Sequence, residues 1–306
     1  SYTEPYFLDR NIAAGVDVFE VKTSPTSNFF SGGTPPYVQF SYGGALRAGY
    51  QITENLRQTW KYTARSDDIT DVQSNASLYI VLQEGTHLTS QIGQVLLYDR
   101  RDNRLEPTSG YFASAGTDFA GVGFGVEYIR NKVNVGYYYS IAPEWVLGFT
   151  GEAGDIFGWG GQQVLLQDRF FVGGDNLRGF QSAGIGPRDQ VSGDALGGNK
   201  YYVGSVTLGV PLGLPKELGI SGRIFTDVGS LWGIDQQNIV LTPSQLVATG
   251  GVQPTILDSA AIRVAAGVGV SWKSPVGPIR LDVGYPIRKE GFDKTQVFHV
   301  SFGTRF

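Results

Sequence analysis

The sequence predicts an all-β protein, a transmembrane antiparallel β-barrel, on three observations. Apolar and polar residues alternate along many segments with the period of two that a strand imposes on its faces. The segments are long: residues 37–50 hold the alternation over fourteen positions, where an ordinary strand has about five or six. No run reaches 18 apolar residues. A helix therefore does not span a bilayer here, whereas a barrel strand needs apolar residues only at every second position.

Composition narrows the chemistry. The chain has 306 residues, with 43 Gly, 16 Tyr, 18 Phe and 5 Trp. Glycine is about double its usual share. The net charge of -4 gives no footprint for nucleic acid. There is no cysteine and only His87 and His299, which removes disulfides, thiol chemistry and most zinc sites. No metal, cofactor or catalytic set is expected: His299 shares a strand face with Ser301 and Arg305, but no acid is placed beside them, so the chain does not read as an enzyme.

Taken in order, a strand end is expected at 1–5 and a strand at 12–24. In 36–51, Val38, Phe40, Tyr42, Leu46, Ala48 and Tyr50 share one face; Gln39, Ser41, Gly43, Arg47 and Gly49 share the other. In 54–68, Leu56, Trp60, Tyr62 and Ala64 oppose Arg57, Thr59, Lys61, Thr63 and Arg65. Segment 72–86 breaks the pattern and is expected to hold a short loop helix. Strands follow at 87–100, 108–120, 124–141 and 143–157. The third of these sets Val133, Val135, Tyr137, Tyr139 and Ile141 against Asn134, Gly136, Tyr138 and Ser140. After a long polar connection, 158–199, come strands at 200–212, 219–232, 260–274, 276–287 and 294–306. Short links such as 142–144 and 274–277 alternate with long ones at 25–35, 69–86, 158–199 and 233–259, as in barrels with tight turns at one rim and loops at the other.

Alternation alone does not say which face is inside. A soluble sandwich or lipocalin-like barrel turns its apolar face inward. Two features favour the membrane. Aromatics stand near strand ends (Tyr37, Tyr50, Trp60, Trp145, Trp272), as in interfacial belts. The polar faces mix Arg, Lys and Asp with Gly and Ser, as a wet lumen would.

One stretch fits neither period: "DRFFVGGDNLRGFQS", 168–182. Gly173, Gly174 and Gly179 suit a tight turn or positive φ. The glycine pair is not a phosphate loop, because it lacks a Lys-Ser/Thr pair and a following helix. An arginine inside a barrel is costly unless paired. Asp227 shares strand parity with Ser221, Arg223 and Phe225, opposite Ile220, Ile224 and Val228, which puts it on the lumen side.

The stretch resembles the signature of the BamA family of outer-membrane protein assembly factors, an aromatic pair, a glycine pair and an Arg-Gly-Phe element in a long loop that folds back into the barrel. The order of "EPYFLDRN", "YDRRDNRLEPTSG", "IFTDVGSLW", "GVGVSWKSPVGPIRLDVGYPI" and the closing "FHVSFGTRF" extends the resemblance over residues 1–306, and it looks alphaproteobacterial in type. The resemblance implies a sixteen-strand barrel of which this chain supplies about the last twelve to thirteen strands, the first as a stub. Three strands, POTRA domains and a signal peptide precede that part in the family, and a chain of this extent is not expected to close alone.

The resemblance also implies roles. Gly173, Gly174, Leu177, Arg178, Gly179 and Phe180 form a loop-anchor motif, with Phe171 against the inner wall. Asp227 is the lumen partner of Arg178, with Arg223 and Asp175 as alternative partners in that cluster. Arg188 and Asp189 are a second loop anchor or a surface turn. Phe298, Val300, Phe302, Gly303 and Phe306 belong to a terminal strand that closes a weak lateral seam with the first. The implied function is folding and inserting β-barrel precursors into the outer membrane. The alternative is a protein secretion or translocation pore of the two-partner secretion or TamA type. Implied partners are unfolded precursors, the complex's lipoproteins (mostly through the POTRA domains) and outer-membrane lipid or lipopolysaccharide; implied localisation is integral to the outer membrane.

Overall fold

The computed structural model describes residues 1–23, 35–235, 240–243, 253–274 and 277–302. Thirteen strands form one antiparallel sheet: β1 (Tyr2–Glu4), β2 (Ile12–Thr23), β3 (Val38–Thr53), β4 (Leu56–Thr70), β5 (Gly85–Asp99), β6 (Gly110–Gly125), β7 (Tyr128–Ala142), β8 (Trp145–Gly158), β11 (Lys200–Val210), β12 (Ile220–Trp232), β14 (Arg263–Ser274), β15 (Gly277–Arg288) and β17 (Phe298–Phe302). Each pairs with the next in that order, leaving β1 and β17 at its two ends. Two small sheets, β9 (Gly179–Phe180) with β16 (Thr295–Gln296) and β10 (Arg188–Asp189) with β13 (Ile256–Leu257), involve the 159–199 connection. From β2 to β8 the strands run 12 to 16 residues, more than the roughly nine to eleven that a tilted strand needs to cross a bilayer.

The burial pattern settles which face is inside. Val18, Leu46, Trp60, Val133, Tyr139, Phe149, Ile224 and Val283 are all exposed, Val18 by 83%. Thr63, Asp67, Asp227, Arg263, Asp282 and His299, on the opposite parity, are buried. A soluble sheet would show the reverse. The apolar face is the outer, lipid-facing surface of a barrel wall, and the polar face lines the lumen.

The hydrophobic core therefore lies between wall and loop. In one cluster Phe170, Val172, Leu177, Phe180 and Ile185 of the loop pack on Tyr128, Ile156, Tyr201, Leu231 and Ala265 of the strands. In a second, Leu166 and Leu196 of the loop meet Tyr37, Ile69, Tyr79 and Ile80. Such side chains stabilise by about 1.5–3 kcal/mol each when fully buried, so the loop docks through apolar patches on an inner face that is otherwise largely polar.

Three expectations change and one holds. Tyr37 does not join an aromatic belt: it is 1% exposed and belongs to the second loop cluster. Tyr50, Trp60, Trp145 and Trp272 are exposed on the outer face. β6 continues to Gly125, where a connection at 121–123 and the start of the next strand at 124 were expected. Gly121, Gly123 and Gly125 take positive φ there, a backbone open to glycine, and the register with β5 shifts between Ala120 and Gly125. The short loop helix expected in 72–86 is present as one turn, α1 (Leu78–Val81), started by Ser77, whose Oγ accepts from Tyr79 N at 3.3 Å. The strand expected at 294–306 breaks at Val297. Thr295 and Gln296 turn away to pair with the loop, and β17 starts only at Phe298.

Candidate functional site

The loop motif lies on the lumen wall, and its glycines explain how it gets there. Gly173 has φ 131°, and a Cβ there would stand 1.9 Å from the Gln181 carbonyl oxygen. Gly174 has φ 66° and Gly179 φ 91°. These are backbone conformations that side chains disfavour. The amide of Gly173 donates to Asn176 Oδ1 at 2.8 Å, and that of Gly174 to the Phe180 carbonyl at 2.9 Å. The chain thus closes into a compact bend that presents Leu177, Arg178 and Phe180 to the wall.

Arg178 meets Asp227 of β12 in a two-pronged pair. Its Nε donates to Oδ2 at 2.8 Å, its Nη2 to Oδ1 at 2.6 Å, and its own backbone amide to Oδ2 at 3.1 Å. The matched fork and carboxylate give directionality as well as energy. Ser205 of β11 completes the ring, accepting from Arg178 Nη2 at 2.9 Å and donating to Asp227 Oδ1 at 2.7 Å. The guanidinium carbon sits 3.4 Å from the centroid of the Phe225 ring. The side chains are only 11% and 2% exposed. Desolvation of the two charges is offset because both carboxylate oxygens are met by the Nε and Nη2 donors, and an ion over an aromatic face gains further when water is excluded. Leu177 and Phe180 are fully buried beside the pair.

The alternative partners in the motif cluster are engaged elsewhere or point outward. Arg223 is forked onto Asp282 of β15, at 2.8 and 2.6 Å. Asp175 is exposed at the bend. Phe171 is half-buried against the second cluster. Arg188 and Asp189 are 3% and 2% exposed, so they are not a surface turn. Arg188 donates to the Ala183 and Gly193 carbonyls, both at 2.7 Å, holding the loop's own bends together. Asp189 accepts from Ser77 Oγ at 2.6 Å, tying the loop to the segment that carries α1. On the terminal strand, Phe298 and Phe302 are exposed on the outer face and Val300 is half-buried. Gly303 and Phe306 lie outside the described residues.

Several participants escaped the sequence reading. Asp168, at the loop's base, is buried and receives Arg65 Nη2 of β4 at 2.5 Å, while Arg65 Nε stands 2.9 Å from Asp67. The inward parity of Arg65 was visible, but its partner is 103 residues away. Arg263, 0% exposed, pairs with Asp293, whose side chain is also fully buried, at 3.0 Å. His299 turns inward from β17, with Nε2 3.0 Å from the Gly179 amide. The loop thus touches the wall at β4, through Asp168, and at β12, through Arg178. It offers anchoring and lumen-filling, with no group placed for bond-breaking chemistry among the described residues.

A lipid-facing antiparallel wall with a buried, ion-paired loop in its lumen defines an integral β-barrel domain of the outer membrane. The sequence matches the Omp85 superfamily domain over residues 1–306, and the chain belongs to that family. "Outer membrane protein assembly factor BamA" of Neorickettsia risticii is 33% identical over 297 residues, 97% of this chain and 37% of that protein. The protein of the same name from Neisseria meningitidis serogroup B is 25% identical, covering 100% of this chain and 41% of that protein. Among solved structures, BamA from Haemophilus ducreyi lacking POTRA domains 1-3 superposes with a TM-score of 0.78 at 20% identity, over 99% of this chain and 60% of that one. The chain thus spans less than half the length of these two curated relatives.

Proposed function

We propose that this domain is the membrane-embedded part of an outer-membrane protein assembly factor, which folds β-barrel precursors and inserts them through a lateral seam between the barrel's first strand and β17. The names of the relatives support the activity. The single observation that carries the route is the filled lumen: Leu177, Phe180, Ile185 and Leu196 are buried between loop and wall, with the Arg178–Asp227 pair beside them. A translocation pore needs an open lumen. A lateral insertase needs only that two edge strands part.

The chemistry of insertion is backbone hydrogen bonding. An unpaired strand edge in lipid leaves N–H and C=O groups without partners, and each costs several kcal/mol. A precursor strand that pairs with such an edge removes that cost with no bond broken and no nucleotide consumed. β17 stands at one end of the strand order, where such an exchange would begin. The partners on this reading are unfolded barrel precursors, the lipoproteins of the assembly complex, and the surrounding lipid or lipopolysaccharide.

The test uses the full-length protein in membranes. Cysteines placed on β17, at Phe298 or Val300, and on the barrel's first strand allow an oxidative tether. Insertion of a model precursor is expected to stop on oxidation and resume on reduction. Unchanged insertion with the tether closed overturns the lateral route.

A further inference from the structure

We infer that the loop motif clasps the terminal strand as well as β12, and that His299 is the positioning residue that couples the two. The link to insertion rests on the seam reading above; the clasp itself rests on geometry alone.

The chain leading into β17 is stitched to the loop before it reaches the sheet. Lys294 N donates to the Gly184 carbonyl at 2.8 Å, and Gln181 N donates to the Lys294 carbonyl at 2.9 Å. Thr295 and Gln296 then pair antiparallel with Phe180 and Gly179. Only after this does the strand join β15, over five described positions, Ile279–Val283 against Phe298–Phe302. At the second position of β17 the His299 ring, 4% exposed, points back into the lumen.

His299 Nε2 stands 3.0 Å from Gly179 N and 2.8 Å from the Gln296 carbonyl oxygen. One ring nitrogen serves one of these at a time. With the ring proton on Nδ1, Nε2 accepts from the Gly179 amide and joins loop to strand. With it on Nε2, the ring donates to Gln296 instead. Both arrangements hold the ring where β9, β16 and β17 meet.

Residues 178–180 thereby touch the last four strands of the sheet. Arg178 is on Asp227 of β12. A Cβ at Gly179 would lie 3.0 Å from that of Ala265 in β14. Gly284 of β15 has to be glycine-sized, since a Cβ there would meet the Gly179 nitrogen at 2.9 Å. The Gly179 amide faces His299 of β17. Three consecutive loop residues on one rigid bend cannot leave β12 and stay in place on β17. Undocking of the Arg178–Asp227 pair and release of the terminal strand are therefore linked, and the coupling is reciprocal. Neither motif residue reaches β17 by sequence spacing; the juxtaposition exists only because the strand entry is broken at Val297.

Hydrogen–deuterium exchange of the full-length protein in lipid bilayers tests this, read at Gly179–Gln181 and at Phe298–Phe302. His299→Phe keeps a ring and removes the acceptor. It is expected to raise exchange at both segments about fivefold, the effect of losing one net hydrogen bond. His299→Gln, which keeps an acceptor, is expected to stay near the parent. Asp227→Asn is expected to raise exchange at Phe298–Phe302 although two strands, β14 and β15, lie between them. Val300→Ala, a half-buried control on the same strand, is expected to leave Gly179–Gln181 unchanged. Parent-like exchange in His299→Phe overturns the clasp, as does His299→Gln behaving like His299→Phe. Raised exchange with undiminished precursor insertion keeps the clasp and removes β17 as the exit.

Discussion

Charge reversal at the Arg178–Asp227 pair gives the sharpest test of how the loop is held. Arg178→Asp places two carboxylates where three donor contacts now converge on one, and Asp227→Arg places two guanidinium groups together. Removing one partner of a buried pair costs about 3–5 kcal/mol, because the other charge stays desolvated. With about 1.4 kcal/mol per factor of ten, each single change shifts the docked-to-undocked ratio of the loop tip roughly a hundredfold or more. Burial of Leu177 and Phe180 still favours docking, so the expected signature is faster opening of an ordered loop. The assay is nicking of segment 158–199 by a non-specific protease, whose rate follows the open population when reclosing is fast. The double reversal is expected to recover part of the loss, at least tenfold. It will not recover all of it, because the Ser205 and Phe225 contacts are built for an arginine on the loop. A cycle in which the two effects simply add, within about 0.5 kcal/mol, refutes the pairing as the loop's anchor.

Alanine substitutions in the motif are expected to loosen the loop in the order Gly173, then Gly179, then Gly174. A Cβ at Gly173 would meet backbone at 1.9 Å, one at Gly179 would meet the Ala265 side chain at 3.0 Å, and one at Gly174 would find nothing nearer than 3.5 Å. The same protease rates rank them, with Gly174→Ala showing only the backbone cost of about 1 kcal/mol. Asp168→Asn is expected to free the loop's base from Arg65 without freeing the tip, seen as new cleavage before residue 173 alone. In the 100–109 turn, the Thr108 hydroxyl and then the Ser109 amide hold the Asp102 carboxyl down to about 2. Its folded value is depressed, so its contribution to turn stability is present above the ordinary carboxylate range and is lost as pH falls through about 2. The amide resonances of Thr108 and Ser109 are expected to titrate with that midpoint; a midpoint near 4 refutes the cap. Glu106→Gln, which breaks an exposed ion pair with Lys273, is expected to change thermal stability by less than about 1 kcal/mol.

The sequence by itself determined the strands. A period of two is a local property, and it placed Asp227, Phe225 and Arg223 on one face and Ile224 and Val228 on the other without any knowledge of neighbours. It also marked Gly173, Gly174 and Gly179, because positive φ demands a residue without a side chain wherever it occurs. The boundaries failed where local rules have two readings. The glycines at 121–125 look like a turn and lie at the end of β6, where its register with β5 shifts. Residues 294–297 look like strand and instead bridge to the loop. Tyr37 sits at a strand end, as a belt residue would, yet is covered by α1 and the loop.

The sequence favoured the polar face as the inner one through strand-end aromatics and mixed charges. Alternation itself is symmetric, however, and it is the loop's burial against that face in the tertiary structure that breaks the symmetry. The tertiary structure also chose partners. An arginine on an inward position must find a carboxylate, but whether Arg223 takes Asp227 or Asp282, and whether Arg65 takes Asp67, Asp168 or both, depends on strand register and on a loop more than a hundred residues away. The physical reason is range: side-chain alternation is set within two residues, whereas desolvated charges are paired by whatever the folded wall and loop bring within about 3 Å.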